Sequence, residues 1–244
     1  MAKVNVTLNY LGVPVGIDYI ATLGDGADHS NDFEYRMIAH VLEVSPLHVP
    51  REVLDRYAEV SSRETYTPIV PHTDKLFECF LVPLKSAKRC YCLGEFLATI
   101  ELSAHVGEML ALLIWQMNPG SINGKAIDAK LQRALFGREF EKLGQEYRIN
   151  ILEAVGMIQN ADAQLLDFLR AIRRKYFHFW GTPVTNLQCD ALDCFLKVST
   201  LIKNTLQIEF SNGTVIMNPK LLAYLNAHPQ PLNTAPNADA APVG

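Results

Sequence analysis

The chain has 244 residues, 49% of them hydrophobic and 20% charged, with a formal net charge of −4 at pH 7. These totals predict a packed core. They exclude binding of nucleic acid through an overall basic surface, which needs a broad cationic footprint; a local basic patch stays compatible with them.

The opening MAKVNVTLNYLGVPVG lacks the charged-then-apolar shape of a signal peptide. The most apolar run, around Met109 to Trp115, is too short to span a bilayer on its own. A cytoplasmic protein with no membrane partner is therefore expected. Its five cysteines, an odd number in no regular framework, are read as reduced thiols.

In chain order, residues 3–22 alternate apolar and polar side chains and predict two short strands, broken at Leu11-Gly12-Val13-Pro14. The polar stretch LGDGADHSNDFEY predicts a loop; it lacks the aspartate spacing and closing glutamate of a calcium loop. A short helix is expected over 34–43 and another after Pro50, with Val53, Leu54 and Tyr57 on its apolar side. The segment SSRETYTPIVPHTD reads as a connector.

From about residue 72 the spacing is helical. A helix carrying Phe80, Leu81, Leu84 and Ala87 contains Pro83, which predicts either a bend or a later start. Gly94 predicts a break before a long helix from Glu95 to Met117, ended by Asn118-Pro119-Gly120-Ser121. A third helix is expected over Lys125–Tyr147, with 148–158 continuing it or forming a short helix. A fourth starts near Asn160 and stops at Gly181-Thr182-Pro183, and a fifth spans Thr185–Thr205. Asn212-Gly213 between two apolar runs predicts a hairpin, because both residue types tolerate positive φ. A short helix over Pro219–Asn226 and a disordered tail complete the chain. The expected division is 1–70 as an N-terminal α/β region, 71–205 as a helical bundle, 206–227 as a hairpin plus helix, and 228–244 as tail. The terminal strands are expected to pair into a small sheet.

The fourth helix carries the densest chemistry. LLDFLRAIRRKYFHFW holds Arg170, Arg173, Arg174, Lys175 and His178 within nine residues. At about 100° per residue, Arg170, Arg174 and His178 form one row four residues apart, while Arg173 stands off that row. Arginine forks onto phosphate oxygens, and histidine exchanges a proton near neutrality. The pair therefore suits metal-free cleavage of an RNA phosphodiester: His178 draws the proton from a 2′-hydroxyl while an arginine holds the phosphate. The competing reading is a helix C-terminus whose cations complement the dipole.

Arg173-Arg174-Lys175-Tyr176-Phe177-His178 matches the R-x4–6-H motif of HEPN domains. The whole stretch LLDFLRAIRRKYFHFWGTP resembles the HEPN pattern of an apolar helix running into that motif, then a Gly/Pro stop. LVPLKSAKRCYCLGEFLATIELSAHVGEML resembles the first helix pair of bacterial HEPN-like proteins, and the resemblance covers about residues 72–205. It implies a mainly α fold, a four- to five-helix HEPN-like bundle, here flanked by short terminal strands or hairpins. It also implies a homodimer with two motifs face to face, and an RNA or nucleotide ligand. Two activities follow from it. One is a metal-independent, toxin-type endoribonuclease with Arg173 and His178 as the catalytic pair and Arg170 and Arg174 binding phosphate. The other is a non-catalytic dimerisation or nucleotide- or protein-binding module. Active members usually have Asn, Asp or His after the motif arginine; here it is Arg174. No cofactor is expected.

Glu101, His105 and Glu108 share one helix face. A di-metal centre needs a second such helix, which the chain lacks. The expected alternative is an ion pair from Glu101 or Glu108 to Arg170, Arg173 or Arg174, and no metal site is assigned. Cys90-Tyr91-Cys92 and the Cys189/Cys194 pair lack zinc-finger spacing.

Overall fold

The computed structural model describes residues 17–24, 27–29, 31–46, 49–64, 75–118, 120–122, 125–178, 183–207, 209–211 and 214–228. The chain is mainly helical over these residues. Helix α1 (Ile17–Thr22) replaces the last part of the expected N-terminal strands, and residues 1–16 lie outside the described set. Packing overrides the alternating pattern here. Arg51 Nη1 donates to the carbonyls of Ile20 (2.9 Å) and Leu23 (2.7 Å), satisfying the end of the helix, while Ile20 is buried. Helix α2 (Phe33–Leu42) closes at Glu43 in the left-handed region, and the Tyr35 hydroxyl accepts from Val49 N–H. Helix α3 (Arg51–Arg63) follows Pro50 and buries Val53, Leu54, Tyr57 and Val60, the i, i+1, i+4, i+7 spacing of one face. Of the expected connector 61–74, residues 61–63 belong to α3, where Val60 carries the apolar face on, and 65–74 lie outside the described residues.

Helix α4 (Lys75–Leu93) runs through Pro83 without ending there. Its stop is Gly94 at φ +85°, where the N–H of Glu95 returns to Cys90 O and that of Gly94 to Tyr91 O. Helix α5 (Phe96–Met117) then occupies the centre of the bundle and packs against α4. Helices α7 (Gln145–Ala154), α8 (Asn160–Phe177), α9 (Leu187–Leu206) and α10 (Pro219–Ala227) surround the rest of it. Because it is enclosed, α5 is apolar nearly all round rather than along one stripe. At 22 residues it is long and apolar enough to cross a membrane by length and composition, a span that the shorter 109–115 run did not suggest. Most of that window is packed inside the bundle.

The expected Lys125–Tyr147 helix is divided. Ser121–Ile122 (β1) and Lys125–Ala126 (β2) form a short antiparallel ladder. Asp128 then caps α6 (Ala129–Phe136) by accepting from Leu131 N–H, and Gly137 ends it at φ +77°. A 3-10 turn at Phe140–Lys142 precedes α7. Phe140 is the anchor: it stacks on Trp115 of α5 with ring centroids 4.3 Å apart, so the chain bends to bury it. After α9, Glu209–Ser211 (β3) pairs with Thr214–Ile216 (β4), Ser211 opposite Thr214. The Asn212-Gly213 turn and the tail 229–244 lie outside the described residues. Among the described residues β3 pairs with β4 alone. One contiguous core joins residues from Ile20 in α1 to Leu221 in α10.

A charged pair sits inside this core. Lys88 of α4 is 1% exposed, and its Nζ lies 3.0 and 2.9 Å from the two carboxylate oxygens of Glu64, which closes α3. The ammonium also lies 4.7 Å over the buried Tyr57 ring. Beside it, the Tyr91 hydroxyl donates to Glu59 (2.6 Å). Burial first, then that bond to a carboxylate, raises the Tyr91 pKa.

Candidate functional site

The basic residues of α8 emerge where that helix crosses α5, and the crossing is close. A Cβ added at Gly107 would lie 2.8 Å from Leu169 Cδ1, so only glycine allows this approach without a shift of Leu169. Glu101 and Glu108 flank Gly107 on α5, two helical turns apart. Arg173 reaches back across the gap and joins both. Its Nε and Nη2 donate to Glu101 Oε2 (2.8 Å) and Oε1 (2.7 Å), and its Nη1 donates to Glu108 Oε1 (2.8 Å). This is a bidentate fork plus a third charge-assisted bond. The bonds to Glu101 hold the Arg173 pKa above its ordinary value, against a smaller opposing effect of burial. The expected ion pair between α5 and α8 is thus present, and Arg173 is the arginine it uses. His105, between the two glutamates in sequence, is exposed. No group of metal-ligating side chains occurs among the described residues.

Arg170 is held from another side. Its Nη1 donates to Glu146 of α7 (2.9 Å), and its Nε to Asp167 (2.9 Å), one turn earlier on α8. Lys175 turns towards α9, where its Nζ lies 2.7 Å from Asp190 Oδ2, and the Tyr176 hydroxyl donates to the same oxygen. Hydrogen bonding to Asp190 raises the Lys175 pKa; burial, then the same carboxylate, raises that of Tyr176. His178 caps the C-terminus of α8 through its backbone N–H to Arg174 O, with its ring exposed.

Arg170, Arg173, Arg174 and His178 do share one cleft, of about 580 Å³. Its other walls are Glu108 and the start of α7: Gly144, Gln145, Glu146 and Tyr147. Tyr147 is 67% exposed, and the buried Gln145 Oε1 has no hydrogen-bond partner among the described residues. These α7 residues were not singled out in the sequence. Their part depends on the break between α6 and α7, which Gly137 and Gly144 mark and which a continuous helical reading hides. The residues expected to form a catalytic pair are brought to one cleft, but Arg173 is directed at two carboxylates of α5. Carboxylates from two other positions, Glu146 and Asp167, hold Arg170 in the same way.

Comparison of the chain with protein-family models, with curated proteins and with solved structures finds no match.

Proposed function

We propose that the chain is a HEPN-like helical module that works by binding and self-association rather than by cutting RNA. One observation carries this reading: Arg173, the motif arginine, spends three hydrogen bonds on Glu101 and Glu108 within its own chain. A guanidinium engaged in that way would have to give up both carboxylates before it could meet a phosphate. That exchange is unfavourable unless the phosphate restores equivalent bonds. Arg170 is likewise matched, by Glu146 and Asp167, so the cleft does not present the excess positive charge that a polyanion needs. Self-association through the α8 face, with two motifs opposed, completes the reading.

The test is incubation of the purified chain with single-stranded RNA in EDTA, beside His178→Ala, with its mass in solution measured by light scattering. A dimer and intact RNA with both proteins are expected. Cleavage by the wild type that His178→Ala abolishes would overturn the reading.

That outcome would favour metal-independent RNA cleavage, with His178 as the base, Arg173 as its catalytic partner, and Arg170 and Arg174 on the phosphate. The observation on its side is that all four residues line one solvent-open cleft.

A further inference from the structure

The opposite end of α8 faces a second cavity. Eighteen residues at about 1.5 Å each put it roughly 27 Å from the Arg/His cleft. This cavity, of about 810 Å³, lies between the ends of α5 and α9 and the starts of α8 and α10. Its size falls within the roughly 300–1,000 Å³ of small-molecule sites. Ile114, Met157, Ile158 and Met217 give it an apolar floor.

The hydrogen-bonding groups around it are unevenly used. Three carbonyls of the neighbouring helix ends are already taken. Asn118 Nδ2 donates to Ile114 O, Asn218 Nδ2 to Thr205 O and Asn218 N–H to Leu206 O. Donors stand around the same space. The first intrahelical bond of α8 runs from Ala163 N–H to Gln159 O, and Gln159 supplies no side-chain cap, so the N–H groups of residues 160–162 precede the ladder. Lys203 lines the cavity and has no ion-pair partner among the described residues; Lys220 lines it too, donating to Asn118. Thr205, 8% exposed, lines the same space and offers a hydroxyl there. Two helical neighbours, Ser199 and Thr200, instead return their hydroxyls to the carbonyl four residues back. Among the described residues Asp162 is the one carboxylate lining the cavity, and Asn204 Nδ2 donates to it.

We propose that this cavity binds a small amphipathic carboxylate, its head on Lys203 and the Thr205 hydroxyl and its apolar body along the methionine and isoleucine floor. The donors match an anion, and the floor matches an alkyl or aryl body.

Decanoate and decan-1-ol, which share a chain and differ in charge, are titrated calorimetrically into the full chain. The wild type binds decanoate at one site, at least about tenfold more tightly than decan-1-ol. Lys203→Gln weakens decanoate about tenfold and leaves decan-1-ol unchanged. Thr205→Val, which keeps the shape and removes the hydroxyl, weakens decanoate several-fold. Equal binding of acid and alcohol by the wild type, no binding of either, or decanoate binding unaltered by Lys203→Gln each overturns the proposal. The wild-type comparison of acid with alcohol does not depend on any variant folding.

Discussion

Lys88 and Arg173 each tie one helix to the carboxylates of another, in opposite surroundings. Lys88 and Glu64 are 1% and 5% exposed, whereas Arg173, Glu101 and Glu108 are each about a third exposed. Lys88 has lost its water and has the Glu64 carboxylate and an aromatic face in return. The open cluster keeps water and adds geometry: three directed bonds at a helix crossing where Gly107 permits close approach. Burial makes the first pair costly to break, and exposure makes the second replaceable.

The largest effect is therefore expected at Lys88. Lys88→Met takes the ammonium away from the buried Glu64 carboxylate and lowers stability by about 3–5 kcal/mol, measured by urea unfolding. The double variant Lys88→Met/Glu64→Leu removes both charges and recovers most of that loss. A single-variant cost below about 1 kcal/mol would mean that water reaches the pair.

Thiol reactivity gives the same contrast an independent readout. Burial, first among its causes, pushes the Cys92 thiol up to about 12, and burial raises Cys194 as well. Cys79 and Cys189 are exposed. A disulfide reagent at pH 8 should label the exposed pair at once and Cys90 more slowly, reaching Cys92 and Cys194 only on unfolding. Cys92 lies one turn after Lys88 on α4, so Lys88→Met should speed its labelling while Arg173→Ala leaves it unchanged.

At Arg173 the expected cost is smaller. Arg173→Ala should lower stability by roughly 1 kcal/mol, since half-exposed pairs are worth little beyond their directed bonds. At 1 M salt, where the screening length is about 3 Å, that difference should shrink, while the Lys88→Met difference persists. A salt-independent Arg173 effect would erase the distinction between the clusters. It would also strengthen the view of Arg173 as a structural clamp.

The two clusters were unequally legible in the sequence. An ion pair from Glu101 or Glu108 to Arg170, Arg173 or Arg174 could be expected in advance, because i, i+3 and i, i+4 spacing fixes which charges share a helix face, but the choice of Arg173 could not. Lys88 could not, because its partner closes a helix 24 residues earlier and nothing local marks it as buried. Long elements with regular apolar spacing, α3, α5, α8 and α9, were readable, and so were the stops at Gly94 and Asn118. The α1 helix and the α6–α7 break were not. Arg51 capping α1 and Phe140 stacking on Trp115 decide them, and both contacts form only after distant segments meet. The cleft was half visible for the same reason: its α8 wall follows from spacing, its α7 wall from a bend.

The smallest expected effect lies at the far edge of the open cluster, where Lys175 and Tyr176 share Asp190. Bonding to Asp190 raises the Lys175 pKa above its ordinary 10.5. A cation whose folded pKa exceeds its unfolded one binds its proton more tightly when folded. Its contribution is complete below 10.5 and disappears as pH rises through the folded value. Lys175→Met should thus be slightly less stable than the wild type from pH 7 to 10, and the two melting curves should converge at higher pH. Tyr176 adds to the trend within the same window. Its pKa is also raised, so the folded chain keeps a phenol proton that the unfolded chain releases first, and stability falls further as pH climbs. Tyr176→Phe removes that part and isolates the lysine. If the Lys175→Met difference survives unchanged above the lysine range in the Tyr176→Phe background, the tie to Asp190 is packing of the side-chain stem rather than charge.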